Sequence, residues 1–432
     1  MTGKRKLHLL WFAAQAPGHP HMGWQHGVGY DWTKPELYQD IARACERAKL
    51  DAILMPDVTH VQEPIEVALR TGSMVAVHDP FPLIPYMAAV TRRLGFGATI
   101  SASYWKPFTL ARIFATMDHL TSGRVAWNII TQTNDLQAQN YGYDAMFPHD
   151  ERYDMADEFV EAAMQLWEEG WDKDAVVMDV ENGRYARAGS VRPINYSGRY
   201  HKVRGPLGVL PSPQGHPVIF QAGVSPRGIR FAAKHAEVVI AHKTSAADMR
   251  KYAEQVRTAV SDAGRDPYSV KIICSIKPVL GRTEAAAQAR WEENLSHADL
   301  ETGLKTLTYL IGQDMTRFAL DEPIPWDTFE IKGVKSTREK YYDNGANPSL
   351  REVALSEAMG ETFKIVGTAE QTADILEETA KEADINGFHV RASFDYDYCL
   401  EFLETVVPAL RRRELFREEY TGDTLREHLM EY

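Results

Sequence analysis

Along the chain, short apolar runs alternate with longer stretches whose apolar residues recur every three or four positions, the marks of buried strands and amphipathic helices. The first run is Leu7 to Ala14. After a loop rich in Gly, His and Trp, a helical segment opens at Pro35 and sets Leu37, Ile41, Ala44 and Ala48 on one face. Asp51 to Pro56 is the next short run. The unit repeats: Leu94 to Ser101 predicts a strand, Pro107 to Leu120 a helix stopped by Ser122-Gly123, and Val125 to Thr131 the following strand. Asp150 is placed to cap a helix from about Glu151 to Trp167, along which Tyr153, Ala156, Val160, Ala163 and Trp167 form a stripe. Pro217 to Ala222, Glu237 to Ala241, Val270 to Leu280 and Ile385 to Val390 predict further strands, and a closing helix runs from about Tyr396 to Leu410.

Strands alternating with helices over this length imply a parallel sheet, open or closed into a barrel. No Gly-x-Gly-x-x-Gly follows the first strand, which removes the main reason for an open dinucleotide-binding sheet. The expected fold is α/β, a (β/α)8 TIM barrel forming one domain over residues 1–432. Two segments fit no βα unit: 172–215 at strands 4–5, rich in Gly, Pro and Arg, and 282–360 between strands 7 and 8, partly helical. Insertions of that length serve as lids or subunit contacts.

Composition narrows the function classes. A formal net charge of −12 over 432 residues argues against a nucleic-acid-binding surface, which needs clustered Lys and Arg. The apolar run after the basic start is too short to span a membrane and lacks a clear cleavage site. Cys45, Cys274 and Cys399 are widely spaced, with no C-x-x-C, which fits a reducing compartment. A cytoplasmic enzyme is expected.

In such a barrel the chemistry sits at the carboxyl ends of the strands. Those ends carry Phe12, Asp57, Thr99, Ser101, Ser103, Asn128 and Thr131, and the fifth strand leads into Gln221-Ala222-Gly223-Val224-Ser225-Pro226-Arg227-Gly228. There Gly223 allows close backbone approach, Ser225 suits an N-cap and Pro226 the first helical position, so amides at a helix start face outward and can bind phosphate. Plain helix capping accounts for the same string.

Longer motifs add context to both readings. Leu94-Gly95-Phe96-Gly97-Ala98-Thr99-Ile100-Ser101, Ser122-Gly123-Arg124-Val125-Ala126-Trp127-Asn128-Ile129-Ile130-Thr131, Asn140-Tyr141-Gly142, His149-Asp150-Glu151-Arg152-Tyr153, Arg204-Gly205-Pro206-Leu207 and Pro211-Ser212-Pro213-Gln214-Gly215 follow in order. Together the chain resembles the bacterial luciferase-like flavin monooxygenases, in the branch of the nitrilotriacetate, EDTA and dibenzothiophene-sulfone monooxygenases. The resemblance implies a two-component system in which a separate NAD(P)H:FMN reductase makes FMNH2. The barrel then binds FMNH2, activates O2 through a flavin peroxide adduct and oxygenates a small organic substrate at a C–N, C–S or C–halogen bond. It also implies a homodimer or homotetramer. Carried over by position, Phe12 and Asp57 would border the isoalloxazine, Thr99 and Asn128 would stand at its reactive edge, His149 and Tyr153 would meet the ribityl-phosphate arm, and Gly223 with Ser225 would hold the phosphate. Thr99, Asn128 and His149 are the catalytic candidates.

Substrate-side candidates are Tyr104, Trp105, Lys106 and Arg391, with His21, His26, Tyr30, His242 and His389 also near strand ends. Tyr104 and Trp105 can wall an aromatic substrate, and Lys106 and Arg391 can pair with a carboxylate or sulfonate. A metal-dependent amidohydrolase-type barrel is the rival reading, from His19-Pro20-His21. That pair lies several residues beyond the strand, and no matching ligand set follows. A non-catalytic flavin-binding barrel and a deazaflavin-dependent oxidoreductase are the remaining alternatives.

Overall fold

The computed structural model describes residues 5–13, 32–61, 63, 65–71, 75–331, 333–334, 336–343, 347–360, 362–391 and 396–432. His19, His21, His26, Tyr30 and the segment Ala392-Ser393-Phe394 lie outside them.

Eight parallel strands close on themselves: β1 (His8–Phe12), β2 (Ala52–Met55), β3 (Gly95–Ser101), β4 (Val125–Ile130), β5 (Val218–Gln221), β6 (Val238–Ala241), β7 (Lys271–Leu280) and β8 (Gly387–Val390). Each pairs with its sequence neighbours, and β8 pairs with β1, which makes the ring a TIM barrel. Among the helices packed outside are α1 (Pro35–Arg47), α2 (Pro80–Ala88), α3 (Pro107–Thr121), α4 (His149–Glu168), α5 (Pro226–His235) and α6 (Ala246–Asp262).

The two-residue period of a strand sorts its side chains. Leu9, Trp11, Ile53, Phe96, Ile100, Trp127 and Ile219 point outward into the main core under the helices. Leu10, Ala52, Leu54, Ala126, Phe220, Ile240 and Ile273 point inward. Gly97 exists for packing: a Cβ there would stand 2.6 Å from Leu54 Cδ1.

The amino-terminal floor of the barrel is closed by the last residues. Leu425 and Leu429 join the inner cluster. Beneath them Asp51 takes Arg417 at 2.7 Å and His8 at 2.9 Å, all three fully buried, and Tyr432 stacks on His8 with centroids 4.6 Å apart. Lys271 donates to the Tyr432 carbonyl oxygen at 2.8 Å. Burial pushes the Asp51 carboxyl up, but Arg417 and His8 outweigh it and hold it below the usual range.

The helix predicted from Glu151 begins two residues earlier. Pro148 holds the N-cap position and His149 the first turn, so Asp150 caps nothing; its carboxylate takes His149 Nδ1 at 2.6 Å instead. Within 172–215 lie two antiparallel hairpins, Val176–Asp179 with Arg184–Ala186 and Tyr196–Ser197 with Lys202–Val203. The 282–360 insertion includes α7 (Leu300–Ile311) and α8 (Leu350–Ala358), which share a separate small core of Leu304, Leu307, Ile311, Trp326, Leu350 and Val353. The sequence reading predicts none of the hairpin strands of 172–215, nor the strand Phe363–Gly367, which pairs with Ile276–Leu280 because β7 is ten residues long and outruns the barrel wall.

Candidate active site at the carboxyl ends of the strands

The inward parity that buries Leu10 and Phe220 brings polar residues into the cavity one step higher. Thr99 and Asn128 are register partners on adjacent strands, and Asn128 Nδ2 donates to Thr99 Oγ1 at 3.0 Å. Both are buried, and Asn128 Oδ1 has no hydrogen-bond partner among the described residues. A buried amide oxygen without a donor is costly, so the site is built to receive an N–H or O–H.

Beside this pair, the start of α5 meets the start of α4. Ser225 is the N-cap of α5 and accepts from Gly228 N at 3.1 Å, while its Oγ lies 3.4 Å from His149 Nε2. His149 meets the Tyr153 ring edge-on, at 5.3 Å. The Tyr153 hydroxyl sits among Ser225, Thr131 and Gln221; burial raises its pKa more than these partners lower it. Gly223 and Gly228 flank it, and a Cβ on either would come within 2.9 Å and 2.7 Å of that hydroxyl. The group therefore presents a hydroxyl, a phenol, an imidazole and a helix start to one small space. That donor set fits the phosphate arm of FMN, and the unpaired Asn128 Oδ1 fits an N–H of its ring system.

Across the barrel the same parity carries other groups. Beyond Ile273 and Ser275 comes Lys277, beyond Ile240 comes His242, and beyond Gly387 come His389 and Arg391. His389 Nδ1 lies 3.2 Å from Ser275 Oγ and its ring meets Phe12 edge-on at 5.5 Å. The Arg391 guanidinium lies 4.8 Å over the Phe12 ring. His242 has much of its surface accessible and is yet surrounded by protein, which is the condition of a side chain lining a deep cavity; burial, then Arg391, lowers its pKa to about 3. Burial likewise takes Lys277 down to about 7. At the end of β2, burial and the neighbouring Asp79 raise Asp57 to about 7.

The 282–360 insertion roofs part of this space. Tyr309 of α7 stacks on His60, centroids 5.8 Å apart, and stands next to Thr133 after β4. Sequence reasoning missed Tyr309 and Lys277. Parity counted from Ile273 would have found Lys277, whereas nothing in the sequence ties Tyr309 to the barrel.

The structure brings Phe12, Asp57, Thr99, Asn128, His149, Tyr153, Gly223, Ser225 and Arg391 to this face. Tyr104 is buried against Tyr141, rings stacked at 5.1 Å, and Trp105 packs edge-on against Phe81 of α2. Lys106 stands apart: it is the solvent-exposed N-cap residue of α3. Among the described residues no three His, Cys, Asp or Glu side chains group as metal ligands, and no helix is long and apolar enough to cross a membrane.

Comparison with known proteins identifies the family and supports the fold. The chain is 40% identical to a dibenzothiophene-sulfone monooxygenase of Rhodococcus erythropolis (strain XP), over 99% of this chain and 97% of that one. Its structure is similar to the crystal structure of a long-chain alkane monooxygenase (LadA), with a TM-score of 0.88 and 32% identity over 99% and 96% of the two chains. A riboflavin lyase (RcaE) crystallised with modified FMN and riboflavin superposes with a TM-score of 0.91 at 27% identity, again over 99% and 96%. The family model described as luciferase-like monooxygenase matches residues 12–386, from the tip of β1 to the threshold of β8, and the chain belongs to that family.

Proposed function

We propose that this protein is an FMNH2- and O2-dependent monooxygenase of a two-component system, fed by a separate NAD(P)H:FMN reductase. The observation that carries the reading is the presence, at the carboxyl ends of the neighbouring strands β3, β4 and β5, of both the Ser225–His149–Tyr153 cluster and the buried Thr99–Asn128 pair, an anion cradle and a pair of hydrogen-bonding groups. Ser225 Oγ, Gly223 and the start of α5 hold the phosphate, and His149 and Tyr153 border the ribityl arm. Phe12 and Asp57 flank the ring, with Thr99 and Asn128 at its reactive edge. Bound FMNH2 supplies two electrons to O2, one oxygen atom entering the substrate and the other leaving as water.

The chain's own part is to bind, orient and keep water out. Asn128 Oδ1 accepts an N–H that fixes the ring, and Thr99 Oγ1, already accepting from Asn128, directs its proton into the cavity. The roof carrying Tyr309 restricts solvent access, which suppresses wasteful release of peroxide. Exposed Met178, Val180 and Tyr185 on the first hairpin support a homodimer or homotetramer. Three buried free cysteines suit the cytoplasm.

The test is a titration of FMN, oxidised and reduced, followed by turnover with NADH, a generic flavin reductase and O2. Ser225→Ala is expected to raise the Kd for FMN roughly tenfold, about 1.4 kcal/mol. Unchanged affinity in that variant refutes the cradle. Wild-type binding without any oxygenated product, across sulfone, thioether, amine and haloaromatic substrates, would leave a flavin-binding barrel and no monooxygenase.

A further inference from the structure

Among the described residues Arg391 is a cation without an anion. It follows β8, points into the cavity, and its one hydrogen bond to another described residue runs from its backbone N–H to Ile276 O at 2.9 Å. Among the described residues no carboxylate lies within ion-pairing distance of its guanidinium. The acid that acts on it most is Glu357, and Glu357 is already taken by Lys340 at 2.8 Å and by the Tyr341 hydroxyl at 2.7 Å. The other described groups facing it are neutral or positive: Phe12 beneath, His242 and His389 beside it, and Lys277 on β7, whose Nζ donates to Met359 O at 2.5 Å. Burial lowers Arg391 only to about 10, so it stays charged at neutral pH.

An enclosed guanidinium without a counter-charge is unfavourable, and a planar oxyanion satisfies it through two parallel N–H donors. The FMN phosphate is not that anion in the proposed pose. Its cradle opens at β4 and β5, and Arg391 stands three strands further round the ring from β5, next to β1. We propose that Arg391, backed by Lys277, anchors a carboxylate or sulfonate group of the substrate, so that the enzyme oxygenates an anionic small molecule in preference to its neutral analogue. This rests on the flavin-monooxygenase reading and names the substrate class for it. Phe12, with its face under the guanidinium, provides the apolar surface next to the charge, and the roof at Tyr309 and His60 provides a second aromatic wall.

The experiment compares matched probes on FMN-loaded protein by calorimetry: benzenesulfonate against methyl phenyl sulfone, and dibenzothiophene-sulfone carboxylate against dibenzothiophene sulfone. The charged member of each pair is expected to bind at least about tenfold more tightly to the wild type. Arg391→Gln is expected to abolish that preference and Arg391→Lys to keep part of it. FMN affinity, read by fluorescence quenching, should stay within about twofold in both variants. No preference in the wild type, or a preference that survives Arg391→Gln, overturns the proposal. So does a loss of FMN affinity in Arg391→Gln, which would assign the guanidinium to the flavin. If Arg391→Gln fails to fold, the wild-type comparison decides alone. Failure of the wild type to bind FMN at all is a different result, and it sinks the monooxygenase reading itself.

Discussion

In the proposed site Asn128 is the side chain that joins a filled hydrogen bond to an open acceptor. Its amide donates to Thr99 and leaves a buried acceptor open. Replacing it with Ala removes both links, so Asn128→Ala is expected to consume NADH at a near-normal rate while releasing hydrogen peroxide in place of product. A peroxide-to-product ratio unchanged from wild type would deny the residue that role. Asp57 makes a pH-dependent prediction. Folded, it keeps its proton to about pH 7, against an ordinary 3.8, because burial and Asp79 disfavour its charge. Between those values the unfolded chain binds fewer protons, so this group's contribution to stability falls as pH rises through the window. Asp57→Asn escapes the loss, by at most roughly 4 kcal/mol. Its melting temperature relative to wild type should climb from about pH 4 to about pH 7 and level off above. A flat difference would mean that Asp57 titrates normally.

Among the elements, the roof helices α7 and α8 meet at Gly303, where a Cβ would stand 1.8 Å from the Ala354 carbonyl oxygen. That neighbour is backbone and cannot turn aside, so Gly303→Val must move α7 and with it Tyr309. The expected outcome is several-fold loss of coupling between NADH oxidation and product, with FMN affinity kept, measured by parallel product and peroxide assays. The contrast between barrel and roof also explains what the sequence reveals. Barrel strands are legible because both of their faces are buried, giving unbroken apolar runs, and all eight fall within two residues of the predicted spans. The start of α5 is legible because Ser225, Pro226 and Gly228 form a local capping string, and Ser225 is the N-cap. The roof is not: α7 and α8 bury their stripes against each other, so their periodicity says nothing of where they sit on the barrel. Asp150 was misread as a cap because Pro148 starts the helix before it.

At the scale of the whole molecule, the proposed active site and the buried ionic cluster occupy opposite ends of one barrel. The floor holds the Arg417–Asp51–His8 cluster with no side-chain exposure. Breaking such a cluster leaves a buried charge, so Arg417→Met is expected to cost about 3–5 kcal/mol in urea unfolding. FMN affinity of the folded fraction should stay within about twofold of wild type. A milder loss, near 1 kcal/mol, would mean that water reaches Asp51.

The floor has a further consequence for how the chain folds. His8 and Leu10 lie on the first strand of the barrel, while Leu425, Leu429 and Tyr432 pack against that strand from far along the sequence, the Tyr432 hydroxyl meeting the Leu7 carbonyl oxygen across a separation of 425 residues. Contacts of such long range form late, so the base of the cylinder is expected to close after the neighbouring βα units have paired, and amides of the floor should gain protection last in a refolding experiment read by hydrogen exchange.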